Sequence, residues 1–564
     1  MSNSAQPPRL PLAFQLKAFL RTVPPLLKTG AFYFPLPHNP KGSLEMLRSL
    51  YRWRFAVGSL VHVDAQRYPD RLALVDDDGE LTYRELDEMC TRVALALMAR
   101  GMSRDTKFGI IARNGRGIIV PMAVKGLIGS EIMLMNVGSS EAQVDGIVEQ
   151  NDVSFMFIDD EFIDRIPKDR KDLNVVITHV SDPETRNKVP SHWLFMEDLA
   201  KENNNGTFDD FEFKPEQGRI IIMSSGTTGL PKGVLRDEPK LPNSVGAICE
   251  RIPWRRNMVV HQSASMFHAW GWANVLIAFG TGATIVTMRQ FDGKTMAQQC
   301  QQYGVNGIIS AAFFLRQFKD ELDDNPVYKL GPFKFIVSSG NAIPAWLVRA
   351  LTHRFGPVVC NFYGSTEAGL TSIATGQDLT MRPDSAGRPA MSAIVRIYDD
   401  NGKELPAGEV GRIFACEDSS FTGYLNPEDK FNTIDGLFEI GDRGYLDREG
   451  YLYISGRSDD MVIKGGENVF PREVEELVGG LPGIADCYCR GVQNDEIIAD
   501  LYLYVVRSGS KVSEDLTQEY LQKYVRENLA DHSVPDKVIF VDKLPRNAVG
   551  KVVPREIDAM LGKH

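Results

Sequence analysis

The stretch Ile220-Ile221-Ile222-Met223-Ser224-Ser225-Gly226-Thr227-Thr228-Gly229-Leu230-Pro231-Lys232-Gly233-Val234 joins an apolar run to small, hydroxylated and glycyl residues and one lysine. The run suits a buried strand, and the loop after it can close around a cluster of anionic oxygens. Glycines let backbone N–H groups point inward, the Ser and Thr hydroxyls donate, and the Lys232 ammonium supplies charge. The nucleotide-triphosphatase P-loop is excluded, because Gly233 follows Lys232 where that motif requires Ser or Thr. A generic surface loop would account for the Ser/Gly/Thr content but not for the whole ordered string.

Further strings follow in order: Phe267-His268-Ala269-Trp270-Gly271-Trp272, Ser339-Gly340-Asn341-Ala342, Phe362-Tyr363-Gly364-Ser365-Thr366-Glu367-Ala368-Gly369, Gly441-Asp442-Arg443-Gly444-Tyr445, Gly456-Arg457-Ser458-Asp459-Asp460 and Leu544-Pro545-Arg546-Asn547-Ala548-Val549-Gly550-Lys551-Val552. Seen singly, His268 would be a core or loop histidine, Glu367 a helix-start acid, the Asp-rich pairs turns, and Lys551 a solvated charge. As an ordered set they resemble the adenylate-forming enzymes (acyl-CoA synthetases, luciferases and nonribosomal-peptide adenylation domains), and among these the bacterial fatty-acid–CoA ligases.

The resemblance implies a role for each position. Ser224, Ser225, Gly226, Thr227, Thr228, Gly229 and Lys232 would hold phosphate. Gly340, Asn341 and Ala342 would stack along adenine, with Tyr363 and Gly364 against it. Thr366 would meet phosphate, Glu367 would hold magnesium, Asp442 would accept from the ribose hydroxyls, and Arg457 would lie near ribose and α-phosphate. Asp459 would be a hinge, Lys464, Gly465 and Gly466 a coenzyme A face, and Lys551 the catalytic lysine. His268 would lie beside the substrate carboxylate, with Phe267, Trp270, Gly271, Ala311 and Phe313 lining the acyl pocket. One magnesium carboxylate is chemically sufficient, since phosphate and water complete the shell.

The expected reaction is ATP-dependent ligation of a medium- or long-chain fatty acid to CoA through an acyl-AMP, releasing pyrophosphate and AMP. The fatty-acid expectation rests on the small residues Ala273, Ala311 and Ala312 beside aromatic walls, and on the lack of a charge there to hold an amino-acid ammonium. Ser310-Ala311-Ala312-Phe313 replaces the family's usual entry to this segment. A fatty acyl-AMP ligase loading a carrier protein, a β-lactone-forming synthetase and, outside enzymes, an inactive lipid-binding protein are the alternatives. The cofactors are ATP, Mg2+ and CoA, with no obligate protein partner.

The 564 residues exceed one core, and a net charge of −11 argues against general nucleic-acid binding. The fold class is α/β: a large N-terminal multi-subdomain α/β body with a smaller mobile C-terminal α+β domain. The expected division is a basic amphipathic extension over 1–56, the large domain over 57–458, and over 459–564 the small domain carrying Lys551. The first 54 residues hold eight Lys or Arg and one acid, Glu45. Leu12, Leu16, Phe19, Leu20 and Val23 recur at helical spacing until Pro24-Pro25, where the pattern is expected to stop. Such a segment either packs on the enzyme or lies on an anionic bilayer surface, so the expected location is cytoplasmic, with peripheral contact at the inner membrane face. The terminal Leu561-Gly562-Lys563-His564 lacks a Ser-Lys-Leu peroxisomal tail.

Strings of chemistry need elements to hold them. Thr82-Tyr83-Arg84-Glu85 has the form of a capping box. Phe333–Ser338 and Val358–Phe362 read as strands flanking a helix that opens at Ile343-Pro344. Ile497–Val506 and Val538–Val541 read as strands, and Ser513–Leu529 as a helix. Cys487 and Cys489 fall on one face of a strand, without metal-ligand spacing.

Overall fold

The computed structural model describes residues 10–30, 40–166, 170–202, 206–224, 231–238, 242–417, 421–464, 467–493, 499–547 and 550–560. The chain is mixed α/β, with a large N-terminal body and a small C-terminal domain. By compactness it divides into two units, one comprising Ser4–Val337 with Asp418–Phe431, the other Ser338–Glu417 with Asn432–His564.

The first unit opens with three helices, α1 (Leu12–Thr29), α2 (Pro40–Trp53) and α3 (Val57–Arg67). Helix α1 runs through Pro24 and Pro25, where the sequence pattern was expected to stop. The carbonyls that lose their donors belong to Leu20 and Arg21, both exposed, so water can satisfy them. The helix ends instead at Gly30, whose φ of 76° is the left-handed cap that favours glycine. The strands β1 (Leu72–Asp76) and β2 (Gly79–Thr82) lead into α4 (Tyr83–Met98). Its N-terminus carries the expected capping box, with the Thr82 hydroxyl accepting from the Glu85 N–H and Glu85 accepting from the Thr82 N–H.

An eight-stranded sheet lies wholly in this unit. Near one edge, β3 (Ile220–Ser224) pairs antiparallel with β4 (Lys232–Arg236), Ser224 opposite Lys232. On its other side β3 pairs parallel with Glu131–Leu134. Ile220 to Met223 are all buried, as expected of an apolar strand covered on both faces. A second group of parallel strands contains β1, β5 (Val259–Gln262), β6 (Thr284–Val286) and β7 (Gly307–Ser310), with β5 between β6 and β7. Helices α5 (Asn243–Arg251), α6 (Ala269–Gly280) and α7 (Ala312–Asp324) connect or flank these strands.

In the second unit, α8 (Ala345–Phe355) follows Pro344 as its N-cap residue. The antiparallel pair β8 (Val359–Ser365) and β9 (Gly369–Ala374) comes next. Two further antiparallel strands, β10 (Leu437–Leu446) and β11 (Leu452–Arg457), belong to a five-stranded sheet. The small domain pairs β12 (Ile484–Gln493) with β13 (Ala499–Arg507), and β13 in parallel with β14 (Lys537–Phe540). Val474, Leu501, Leu503, Val505, Leu521 and Val525 form its core. The helix expected over Ser513–Leu529 is split into Lys511–Glu514 and Gln518–Asn528, because the Thr517 side chain caps the second piece by accepting from the Tyr520 N–H. All seven cysteines are thiols outside disulfides, with Cys487 and Cys489 set against Glu475.

Candidate active site

The residues expected to face the nucleotide come together in the second unit. Strand β8 carries Tyr363 and ends at Ser365; Thr366 and Glu367 form the turn into β9, half-buried. Gly364 admits no side chain, because a Cβ there would lie 2.2 Å from the Gly369 carbonyl oxygen. Gly441–Tyr445 lies in β10 and Gly456-Arg457 ends β11, which places Asp442 opposite Arg457 in register, while Ser458, Asp459 and Asp460 form the turn that follows. The Tyr363 hydroxyl donates to Asp442 Oδ2 at 2.5 Å, and Arg457 Nη1 lies 3.6 Å from Asp442 Oδ1. A ring fixed at its hydroxyl end presents a constant face, as a purine-stacking residue needs. Gly340 has φ 86°, and a Cβ there would meet nothing within 4 Å, so its face is open to a flat ligand. Asn341 beside it is half-buried, and Ala342 is exposed.

Lys551 joins this cluster. Its pKa is lowered by the crowding of its surroundings first and by Arg457 second, while Asp442 and Asp460 oppose the shift. These charges therefore sense one another although much of the lysine side chain is solvent-accessible. Burial raises the Asp442 pKa, against the Tyr363 hydrogen bond and the positive charges of Arg457, Arg472 and Lys551. Asp460 is also pushed up, by burial and then by Asp459. Burial opposes ionisation of Asp459 too, but Arg457 outweighs it and holds the carboxyl below the ordinary range. The contact is Arg457 Nε donating to Asp459 Oδ1 at 3.0 Å.

The loop carrying Lys551 is held from behind. Arg546 pairs with Asp486 through Nε at 3.1 Å and Nη2 at 2.8 Å, and its Nη1 donates to the Gly550 carbonyl. The Asn547 side chain accepts from the Lys551 N–H at 2.9 Å, and the Asn547 N–H donates to the Lys551 carbonyl at 2.8 Å. Asp460, Arg472, Asp486 and Arg546 were not identified as site residues from sequence. Arg546 stands in the lysine loop, so its position was legible, but its partner Asp486 is sixty residues away and nothing local announces the pairing.

The residues expected beside the acid substrate belong to the first unit. The segments after β5 and β7 leave the carboxyl ends of adjacent parallel strands, the usual place for a ligand crevice in such sheets. The Ser263 hydroxyl donates to the Ser310 hydroxyl at 2.7 Å and ties the two segments. Asn114 grips the first of them, donating to the Ala264 carbonyl and accepting from the Met266 N–H. His268 is the N-cap residue of α6, with Phe267 buried before it and Trp270 half-buried after it. Gly271 allows the close approach of this turn, since a Cβ would lie 2.2 Å from the Ser265 carbonyl oxygen. Ala311, buried, is the N-cap residue of α7, and Phe313 is half-buried in its first turn. Ala269 to Gly280 includes no charged residue.

Two predicted lysines are engaged elsewhere. Lys232 pairs with Asp429 at 2.9 Å. Lys464 donates to the Val534 carbonyl and pairs with Asp536, both at 2.8 Å. Ser225, Gly226, Thr227, Thr228 and Gly229 of the expected cradle, and Gly465 and Gly466, lie outside the described residues; Ser224 and Lys232 on either side of 225–230 are opposed in register. Among the described residues no group of three His, Cys, Asp or Glu could hold a metal ion. Magnesium bound by Glu367 with phosphate and water is compatible with that, because such a site needs a single carboxylate.

Residues 61–425 match the family of AMP-binding enzymes, and residues 473–551 match the AMP-binding enzyme C-terminal domain. An indoleacetate–CoA ligase of Aromatoleum aromaticum is 26% identical over 504 residues, which is 88% of this chain and 96% of that protein. A 2-succinylbenzoate–CoA ligase of Bacillus licheniformis is 26% identical over 504 residues, covering 87% and 98%. The o-succinylbenzoate CoA synthetase of Bacillus subtilis, solved with its acyl-adenylate intermediate, shares the fold at a TM-score of 0.72 and 23% identity over 88% of this chain and 97% of that one. The residues expected to grip an adenylate, Tyr363, Asp442, Arg457 and Lys551, cluster within one unit, and the family match spans most of the chain: this protein belongs to the AMP-binding enzymes, the adenylate-forming family.

Proposed function

We propose that the protein is an acid–CoA ligase that joins an apolar carboxylic acid to ATP as an acyl-adenylate and then transfers the acyl group to CoA. The observation that carries this reading is the cluster of Asp442, Arg457, Asp460 and Lys551 around the Tyr363 hydroxyl contact. A carboxylate oxygen attacks the α-phosphorus, the bond from that phosphorus to the bridging oxygen breaks, and pyrophosphate leaves with the electron pair. The CoA thiolate then attacks the acyl carbon, and AMP leaves with the former carboxylate oxygen. Two anions must meet in the first step, so positioned cations are the main catalytic resource. Lys551 and Arg457 supply positive charge, Asp442 holds the ribose, Thr366 meets phosphate, and Glu367 would hold magnesium, which when bound offsets phosphate charge. The mixed anhydride is water-sensitive, so a hinge at Asp459 that moves the Lys551 loop after adenylation, and a CoA face around Lys464 to Gly466, complete the reading.

The fatty-acid specificity expected from sequence gives way to an aryl acid as the first choice. The relatives named above act on indoleacetate and 2-succinylbenzoate, and Phe267, Trp270, Trp272 and Phe313 offer aromatic walls. A fatty acid is the second reading, favoured by Ala273, Ala311 and Ala312 and by Gly280, where an added Cβ would meet nothing within 4 Å. A pyrophosphate-release screen over aryl, arylalkyl, graded fatty and amino acids, with and without CoA, tests both. Sustained turnover with apolar acids only when CoA is present is expected, with aryl acids leading. Turnover led by amino acids would contradict the apolar pocket, and sustained turnover without CoA would contradict the acceptor.

A further inference from the structure

We infer that the N-terminal helices form a docking surface for an anionic lipid bilayer. This segment lies before residue 61, where the family match begins, so the adenylating machinery does not account for it. Helix α1 uses one face to hold the body. Ala18, Thr22, Leu26 and Thr29 are buried, and Thr22 sits so close to α5 that a Cβ on Gly246 would lie 2.2 Å from its own Cβ. The Asn243 side-chain amide donates to the Gln15 carbonyl at 3.3 Å, and the Arg256 N–H donates to the Thr29 carbonyl at 2.6 Å. The arm is thus packed on the enzyme, and its orientation is set.

The other face of α1 is apolar and uncovered. Leu12, Leu16, Leu20 and Leu27 are 69%, 51%, 71% and 61% exposed, and on α2 Leu47 and Tyr51 are 54% and 61% exposed. Leu12, Leu16 and Leu20 follow one another at four-residue intervals, so they stack along one side of the helix. Lys17, Arg21 and Lys28 each follow one of the exposed leucines directly, about 100° further round, and all three are exposed. An apolar stripe flanked by cations is the arrangement that lies in the plane of a membrane interface, with leucines among the acyl chains and cations at the headgroups. No described helix is long and apolar enough to cross the membrane, so the contact is peripheral.

Charge selects the occupant. The first 54 residues carry eight basic residues and one acid, in a chain whose net charge is −11. A chain with that net charge is repelled by an anionic surface except through this segment, which therefore also orients it. A second copy paired α1 to α1 would offer these cations no partner, because α1 contains no acid.

Sedimentation of the full-length protein with vesicles tests this. Vesicles of phosphatidylcholine alone are compared with vesicles in which about one third is phosphatidylglycerol, at low and high salt. The protein is expected to bind the anionic vesicles at least about tenfold more tightly than the neutral ones, and less tightly as salt rises. Leu16→Glu with Leu20→Glu, and separately Lys17→Glu with Arg21→Glu and Lys28→Glu, are each expected to weaken binding by more than about tenfold. ATP–pyrophosphate exchange should persist in both. Should the leucine variant fail to fold, the charge variant decides alone. Equal binding to both vesicles, variants that bind like the parent, or a parent dimer that the leucine changes make monomeric without any vesicle binding would each overturn the inference.

Discussion

Lys551→Ala is expected to lower ATP–pyrophosphate exchange by about a hundred- to a thousandfold, the usual cost of removing one positioned charge from a transition state. The exchange reads the first half-reaction alone, so the loss should appear there and not only in thioester formation. The KM for ATP should move far less, because Tyr363, Asp442 and Arg457 remain to hold the nucleoside. The charge state of this lysine also sets an alkaline limit. Crowding and Arg457 push its pKa below that of an ordinary lysine, and the ammonium is the useful form. Activity should therefore fall as pH rises through this depressed pKa, earlier than for a free lysine. Asp460 favours the ammonium, so Asp460→Asn should move the alkaline limb to lower pH. A limb that stays in place or moves upward would show that Asp460 and Lys551 do not share a field. The measurement is the pH profile of exchange for the parent and the variant.

Asp442→Ala is the second large effect, expected to reduce kcat/KM for ATP by about a hundredfold, or roughly 3 kcal/mol, through lost charge-assisted hydrogen bonds to ribose. Three consequences add up at this position. The ribose hydroxyls lose their acceptor, the Tyr363 hydroxyl loses its partner at 2.5 Å, and Arg457 loses one of its two neighbouring acids. Asp442 also supports the ammonium of Lys551, so the alkaline limb should shift downward in Asp442→Asn. Saturation kinetics in ATP at fixed pH, repeated with Tyr363→Phe, separates the contributions. If Tyr363→Phe, which removes only the hydroxyl, matches the aspartate variant, the aspartate acts through the ring and not on the sugar.

Local chemistry in this sequence was readable wherever neighbours along the chain decide the outcome. Thr82 and Glu85 cap a helix as their spacing requires, and Ile220–Met223 is a buried strand. Pro344 opens α8 as its fixed φ favours. The misreadings arise where partners distant in sequence decide. Pro24 and Pro25 do not end α1, because the helix is pinned along its length to α5 and leaves the freed carbonyls toward water. Gly441–Arg443 and Gly456–Arg457 have the composition of turns, yet they are paired strands, since each supplies the other's hydrogen bonds. Asp486 with Arg546, and Asp536 with Lys464, are sixty and seventy-two residues apart, and no periodicity marks such pairs. Sequence likewise suggested volume for a fatty chain from small residues, whereas the two relatives reported above are named for aromatic acids. The shape of an apolar pocket depends on facing side chains from several elements, which composition along one segment does not encode.

In the proposed reaction the substrate carboxylate attacks the α-phosphorus of ATP. Turning over an accepted acid carrying 18O in both carboxylate oxygens, with CoA present, follows the bond directly. One labelled oxygen should appear in each AMP, and pyrophosphate should carry none. Label in pyrophosphate or inorganic phosphate, or AMP without label while thioester accumulates, would show that the acid is activated by another route.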